Sequence, residues 1–158
     1  MQEFYYHCTS AFLETGAIIK PGNWGRILSL YGGSQTGDWA ILYREQCLEH
    51  VRKLEFPEKP SRMSSVFLSR TLKELQFFKD KSNRKFDVAY KVMVIDSAAH
   101  IHLANWNAVN PATWGQQHSI IKSMDECARS YWSNSSLDHG DFTECLAASP
   151  IQVIESCP

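Results

Sequence analysis

Apolar residues recur at helical spacing in two long segments of the chain. Both segments place an apolar residue every three or four positions, which is typical of a helix with one buried face. The first predicts a helix over 39–55, which the prolines of 56–60 end. The second predicts a helix over 120–132. The residues that carry the two patterns are Trp39, Leu42, Tyr43, Cys47, Val51 and Leu54, and then Ile120, Ile121, Met124, Cys127, Ala128, Tyr131 and Trp132.

Capping signals predict one further helix and one short helical turn. Thr71 stands three residues before Glu74 and ahead of apolar residues at helical spacing, which is the arrangement of a capping box. A short helical turn is expected at 12–13, ended by Gly16. Turns are expected over 17–25, where Pro-Gly and Asn-x-Gly occur.

Runs rich in β-branched and aromatic residues predict six short strands. The strands do not alternate strictly with helices, which favours a mixed α+β domain over a doubly wound parallel sheet. The predicted strands cover 3–9, 64–69, 86–96, 100–106, 142–147 and 151–155, and the predicted loops cover 31–38, 80–85, 107–117 and 133–141.

The composition indicates one folded unit. The 158 residues are 44% hydrophobic and 21% charged, so we expect a single domain over 1–158 rather than a disordered chain. No apolar run approaches membrane-spanning length, and no N-terminal signal segment is visible. The odd number of scattered cysteines indicates free thiols and a cytoplasmic protein. A net charge of −1 argues against attraction to bulk nucleic acid or lipid but leaves a local basic groove open.

Three polar residues stand where chemistry is plausible. His7 shares a strand face with Thr9, so a cleft there would offer an imidazole, a hydroxyl and backbone amides to one ligand. Glu144 lies in an apolar strand, where a carboxylate is costly unless it is paired or used. Arg62 precedes a strand with Ser65 nearby and could hold a phosphate through its guanidinium fork. Each residue also has an ordinary structural interpretation, as a hydrogen-bonded, edge-strand or solvated side chain.

Together these segments resemble the ADP-ribosyltransferase superfamily. The resemblance rests on His-x-Thr in the first strand, Ser-Arg-x-x-Ser-Val-Phe-Leu over 61–68, and Glu-Cys-Leu-x-x-x-Pro-Ile-x-Val-Ile over 144–154. The order matches the three motif strands of that fold, and small bacterial toxin-like or phage-defence transferases are the nearest relatives that we expect. The resemblance implies an α+β fold in which a split pair of β-sheets, flanked by helices, surrounds a cleft for NAD.

The resemblance also implies roles for individual residues. Glu144 would be the catalytic carboxylate, and His7 would contact the ribose beside it. Arg62 would lie by the pyrophosphate, and Phe67 or Tyr43 would stack on nicotinamide. The full implied cofactor site is His7, Cys8, Thr9, Arg62, Ser65, Phe67 and Tyr43, without a metal ion.

The implied chemistry is the cleavage of the nicotinamide–ribose bond. A carboxylate that accepts a hydrogen bond from the ribose 2′-hydroxyl stabilises the oxocarbenium-like transition state. The same group can take a proton from the acceptor. We therefore expect that Glu144→Ala abolishes transfer and keeps the fold, because a cleft carboxylate contributes little packing.

The chain departs from the family pattern at several positions, and one departure bears on the acceptor. Cys8 replaces a common glycine, and phenylalanines such as Phe67, Phe77 and Phe78 stand where many members carry tyrosines. Phe142 stands where arginine-modifying members carry a second Glu or Gln. This favours a nucleic-acid acceptor, RNA or DNA, over a protein side chain. A toxin or anti-phage effector of this kind would need an antitoxin partner, and loops 32–38 and 107–117 would recognise the acceptor or act as lids.

Other function classes remain open at this point. A metal hydrolase would use His100-x-His102, completed by Asp96, His118 or His139, although exposed strand histidines are the commoner case. A cysteine nucleophile would use Cys8 beside His7 or Cys145 beside Glu144, but adjacent strand residues point to opposite faces. A non-enzymatic binding module, or an inactive transferase that only binds NAD, would use surfaces such as Asn105-Trp106-Asn107.

Overall fold

The computed structural model describes residues 3–31, 38–109, 120–133 and 143–158. In this part of the chain the strands are β1 (Tyr5–Thr9), β2 (Ile18–Ile19), β3 (Val66–Ser69), β4 (Val88–Val94), β5 (Ile101–Asn105), β6 (Thr143–Ala147) and β7 (Ile151–Cys157). The α-helices are α1 (Asn23–Tyr31), α2 (Trp39–Glu55), α3 (Leu72–Lys81) and α4 (Ile120–Ser133), with 3₁₀ turns at Arg62–Ser64 and Trp106–Val109. The fold is α+β, as predicted.

The seven described strands form one sheet in the order β2-β7-β4-β1-β3-β6-β5, and every pair is antiparallel. The join between β1 and β3, at the centre of the sheet, consists of one register pair, Tyr6 with Ser69. By contrast, β1 and β4 share five register pairs and β3 and β6 share four. The centre of the sheet is therefore the place where its two halves are joined by the fewest hydrogen-bonded residues.

Apolar side chains cover both faces of the sheet. One face carries a cluster that includes Tyr90, Val92, Cys145 and Ile151, formed by strands on both sides of the central join. On the other face, α2 and α4 pack on β5 and β6, and Leu146 lies at their contact. Helix α3 covers a smaller cluster, which contains Cys8, Leu75 and Ala89.

The three helices predicted from periodicity and capping are confirmed. Helix α2 has the predicted bounds, and in α4 the residues Met124, Ala128, Tyr131 and Trp132 are all fully buried. The capping box of α3 is complete: Thr71 Oγ1 accepts from the Glu74 backbone amide at 3.1 Å, and the Glu74 carboxylate accepts from the Thr71 amide at 3.0 Å. Local sequence signals therefore determine where these helices lie.

Two predictions near the N-terminus are wrong. Residues 12–13 form no helical turn; instead Gly16 forms a turn with φ +88°, and its amide donates to the Val153 carbonyl at 2.8 Å. The segment 17–25, predicted as turns, contains β2 and the start of α1. A Cβ on Gly25 would lie 2.5 Å from the Met63 carbonyl oxygen. Glycine there serves close helix packing rather than a turn.

Most of the predicted acceptor loops lie outside the described residues, which omit 32–37, 110–119 and 134–142. Within the described chain, no helix has the length and apolar character needed to cross a membrane. All five cysteines are free thiols.

Candidate functional site

Arg62 is the centre of a buried cluster of charged side chains. It lies in the 3₁₀ turn before β3, where Ser61 Oγ accepts from the Met63 amide at 3.2 Å and so caps the turn. Its Nε is 2.8 Å from Glu45 Oε2, and its Nη2 is 3.2 Å from Glu45 Oε1. Its Nη1 donates to the Glu144 carboxylate and to the Tyr131 hydroxyl. The Arg62 side chain is 4% exposed, so its guanidinium binds protein groups rather than solvent.

Glu144 is held through one of its two carboxylate oxygens. Oε1 accepts from Arg62 and, at 2.5 Å, from the Tyr131 hydroxyl. Oε2 accepts no hydrogen bond from the described residues. The Glu144 side chain keeps a small exposure to solvent, 6%. The residue as a whole is 4% exposed. The carboxylate is therefore fixed from one side and has an open acceptor on the other.

The charges of the cluster balance. Arg44 donates to Glu45 Oε1 from Nε at 3.1 Å and from Nη2 at 2.9 Å, so two arginines face two glutamates. Burial raises the pKa of Glu45, but Arg62 and Arg44 outweigh burial and hold it below its usual range. Burial, together with Glu144, raises the pKa of Tyr131 well above its usual value. Tyr131 therefore stays protonated and donates to Glu144.

Aromatic rings surround the guanidinium. Its carbon lies 4.8 Å from the Phe67 ring centroid and 5.1 Å from that of Tyr131, both within cation–π range. Trp24 of α1 meets the Phe67 ring edge-on at 6.4 Å. The indole Nε1 of Trp24 is buried and donates to no described group. A buried donor without a partner is unusual and indicates a place where a ligand group could bind.

The three strands that carry the predicted motifs lie side by side. Tyr6 on β1 is opposite Ser69 on β3, which is opposite Glu144 on β6. Because residues in one register row share a face, these three side chains lie on the same face of the sheet. His7 belongs to the other face by alternation, and its Nδ1 lies 2.9 Å from the Phe67 carbonyl oxygen, where β1 and β3 are no longer paired. Burial lowers the pKa of His7.

Two other residues of β1 make contacts unrelated to the charged cluster. Cys8 is 4% exposed and packs with Leu75 under α3, and burial raises the pKa of its thiol. Thr9 Oγ1 accepts from the Ala11 amide at 3.2 Å. Their predicted part in holding NAD stays a prediction.

The remaining predicted site residues differ in their burial. Ser65 is buried, and its hydroxyl donates to the Ser61 carbonyl at 2.6 Å, which supports the turn that carries Arg62. Tyr43 is 37% exposed on α2, and a hydrogen bond with Cys47 raises its pKa. Of the two aromatic residues predicted to stack on nicotinamide, Phe67 is the one that contacts Arg62.

Two expectations about these residues need correction. Glu144 was expected to contribute little packing, but it is buried and is bonded to Arg62 and Tyr131. The guanidinium of Arg62 was expected to hold a phosphate, but its Nε, Nη1 and Nη2 all donate to Glu45, Glu144 or Tyr131. Sequence reasoning missed Glu45 altogether, because a charged residue inside an amphipathic helix is ordinarily assigned to the exposed face.

The metal-hydrolase alternative loses its main support. The described residues contain no group of three or more His, Cys, Asp and Glu side chains that could hold a metal ion. His102, expected to be exposed, is 1% exposed and stacks on Trp132 at 5.0 Å. Burial lowers its pKa to about 4. His118 and His139 lie outside the described residues.

The other two alternatives also meet contrary observations. Burial raises the pKa of Cys145 to about 12, and its thiol lies in the apolar cluster on the sheet face opposite Glu144. Such a thiol is unsuited to nucleophilic attack. Asn105 and Trp106, expected as a binding surface, are 6% and 9% exposed. These two side chains are therefore largely inaccessible to a partner.

A family model described as a protein of unknown function (DUF2441) matches residues 25–157, which is most of the chain and includes the segments of Arg62 and Glu144. No curated protein matches the sequence.

Proposed function

We propose that the chain, which belongs to the DUF2441 family, is an NAD-dependent mono-ADP-ribosyltransferase. The observation that carries this proposal is the row formed by Tyr6, Ser69 and Glu144 across three neighbouring strands. Segments that are far apart in sequence, and that resemble transferase motifs, are neighbours in the sheet. Glu144 is the only acidic residue of these segments, and it lies in the register row that joins β1, β3 and β6.

The hydrogen bonds of Glu144 support a catalytic role. Arg62 and Tyr131 bind Oε1 and fix the orientation of the carboxylate, while Oε2 has no partner among the described residues. An oriented carboxylate oxygen can accept a hydrogen bond from a ribose 2′-hydroxyl. Because the carboxylate is already oriented, little reorganisation is needed when positive charge develops on the sugar.

The proposed reaction exchanges one bond to the ribose for another. The bond between ribose C1′ and the nicotinamide nitrogen breaks, and its electron pair leaves with neutral nicotinamide. An acceptor oxygen or nitrogen forms a new bond to C1′ and gives up a proton. We assign to Glu144 the stabilisation of the cationic sugar and the uptake of that proton.

NAD would bind near the central join of the sheet. The single register pair between β1 and β3 supports the split-sheet form of the fold, because it is the shortest join between neighbouring strands of the sheet. His7 lies beside this pair, on the sheet face opposite Glu144, with its Nδ1 against the Phe67 carbonyl. The unpartnered Trp24 Nε1 near the Phe67 ring is suited to donate to a carboxamide oxygen. We assign the nicotinamide end of NAD to this aromatic pair.

The acceptor and the biological setting extend the same proposal. Because Phe142 replaces the second acidic residue of arginine-modifying enzymes, we propose a nucleic-acid acceptor, with a protein side chain as the alternative outcome. The resemblance further suggests a cytoplasmic toxin or anti-phage effector held in check by an antitoxin protein.

The test is incubation with NAD labelled in the ADP-ribose part, in whole lysate, followed by nuclease or protease digestion. In Glu144→Gln we expect labelling to fall about 10²–10³-fold. The control is Glu55→Gln, which removes the same charge from an exposed ion pair with Arg129 and should leave labelling near the wild-type level. Label that nuclease releases supports a nucleic-acid acceptor. Absence of NAD turnover in the wild type would sink the proposal and leave a binding module.

A further inference from the structure

The segment from Arg70 to Asp87 is basic although the whole chain is slightly acidic. It contains six lysines and arginines and three acidic residues, for a net charge of +3, whereas the whole chain carries −1. Arg84 pairs with Asp87 at 2.6 Å, and Arg70 pairs with Glu74 at 3.4 Å. The lysines of the segment therefore account for its excess positive charge.

Two of these lysines form a stripe along α3 with an aromatic residue between them. Lys73, Phe77 and Lys81 are spaced by four residues, so they lie on one side of the helix, away from the buried Leu75. Lys81 Nζ lies 5.6 Å from the Phe77 ring centroid. Among the described residues, no carboxylate forms an ion pair with Lys73 or Lys81. The stripe thus exposes two uncompensated cations beside an aromatic ring.

The stripe continues into the turn between α3 and β4. Lys85 is exposed, and Phe86 is 100% exposed. Phe12 is 91% exposed and follows the end of β1, which pairs with the start of β4. Two large apolar rings therefore stand in water at one end of the sheet, next to the basic segment. We call Lys73, Phe77, Lys81, Lys85 and Phe86 the α3 surface.

The α3 surface begins beside the candidate site. Ser69 is opposite Glu144 in register on the neighbouring strand, and helix α3 begins three residues after Ser69. Helix α3 starts two residues after Arg70 and runs for ten residues, which is about 15 Å at the helical rise. The α3 surface therefore extends from the neighbourhood of Glu144 to the exposed ring of Phe86.

We propose that the α3 surface binds single-stranded RNA and delivers it to the Glu144 site. Lysines would neutralise phosphates, and the exposed rings would stack on bases, which is how proteins bind single strands without reading sequence. A stacking base must be free of a duplex, and RNA presents such bases in its loops and ends. An acidic peptide would match the lysines but would leave the exposed rings unused. The delivery step rests on the proposed transferase function; the binding step does not.

The test is fluorescence anisotropy with a labelled, roughly twelve-nucleotide uridine-rich RNA and full-length protein, without NAD. We expect the Lys73→Glu, Lys81→Glu double variant to bind at least about tenfold more weakly at about 50 mM salt. The slope of log affinity against log salt should be shallower by about 1.4, at ~0.7 per lost phosphate contact. The control is Lys20→Glu, Lys53→Glu, which changes exposed lysines elsewhere by the same charge and should bind like the wild type.

A second pair of variants tests stacking. Phe86→Ala should weaken binding by about fivefold or more, while Leu54→Ala, which shortens another exposed apolar side chain, should have no effect. Equal weakening by the two lysine double variants, or unchanged binding in Phe86→Ala, would overturn the proposal, as would tighter binding of duplex RNA or an acidic peptide.

The source of the strand is identified by ultraviolet crosslinking in cells that express the protein. Crosslinked material that RNase removes supports RNA, and material that DNase removes overturns that assignment. RNA binding without NAD turnover would leave the α3 surface intact and refute only the transferase. If NAD is turned over, nuclease does not release the label and the protein does not bind RNA, then RNA binding by the α3 surface is refuted and the transferase proposal stands.

Discussion

Replacing Glu144 by alanine removes one of four charges that balance inside the protein. In the wild type, Arg62 binds both Glu144 and Glu45, and Arg44 also binds Glu45. After the substitution, the cluster carries one uncompensated positive charge. Breaking a buried pair by removing one partner typically costs ~3–5 kcal/mol. Because Arg62 keeps two contacts with Glu45, we expect the loss of unfolding free energy to lie at the lower end of this range, about 3 kcal/mol.

The measurement is a double-mutant cycle by urea unfolding. We expect Arg62→Met to be destabilising for the converse reason, since it leaves two buried carboxylates with Arg44 alone. In the double variant the remaining Glu45 and Arg44 neutralise each other. The cost of the double variant should therefore fall below the sum of the single costs by at least about 2 kcal/mol, within the range seen for contacting pairs. Thermal midpoints should follow, at ~2–4 °C per kcal/mol for a chain of this size.

Two results would refute this reasoning. One is additivity of the two substitutions within about 0.5 kcal/mol, which is the behaviour of independent sites. The other is a Glu144→Ala protein as stable as the wild type. The control is Glu55→Ala, which breaks the exposed ion pair with Arg129 and should hardly move the unfolding midpoint.

Three further predictions follow from buried groups. The pKa of His102 is about 4 in the folded protein and ~6.5 in the unfolded chain. Between these values the unfolded chain binds more protons, so the free energy of unfolding falls as the pH falls, by about 2 kcal/mol at pH 5. Urea unfolding of the wild type and of His102→Phe checks this loss. Gly25→Ala should cost ~1–3 kcal/mol because its Cβ would clash with the Met63 carbonyl, whereas Gly16→Ala meets no atom and suffers only from its positive φ; thermal melts compare them. The Cys145 thiol, with a pKa raised to about 12, should react with a thiol reagent only at the rate of unfolding.

Helix α2 illustrates how much of the fold could be predicted from the sequence. Its bounds follow from apolar spacing and from the prolines that end it, and both are local signals. The apolar spacing does not, however, identify the face of α2 that is buried. Arg44 and Glu45 are buried, while Trp39 and Leu54 of the apolar stripe are 59% and 68% exposed. A pattern that assigns charges to the surface cannot indicate that a charged pair is required inside. That requirement comes from Arg62, which is seventeen residues farther along the chain.

The sequence does not predict helix α1, for a related reason. Its sequence, Asn-Trp-Gly at the start, carries local signals of a turn, but Gly25 is needed there because the Met63 carbonyl approaches the helix closely. Because the sequence does not predict α1, it gives no reason to place Trp24 in the site, although Trp24 lies edge-on to Phe67. The capping box of α3, by contrast, involves only Thr71 and Glu74 and was predicted correctly.

The burial of Arg62 links the stability of the protein to its proposed chemistry. A guanidinium that bound the pyrophosphate directly would need free donors, but its Nε, Nη1 and Nη2 already donate to protein groups. It instead orients Glu144 through Oε1, so its contribution to catalysis would be positional. An Arg62→Lys protein retains the charge but cannot reproduce the bidentate contact with Glu45 and the bond to Glu144 together. Its turnover should therefore fall with little change in the KM for NAD, whereas loss of a direct phosphate contact would raise KM.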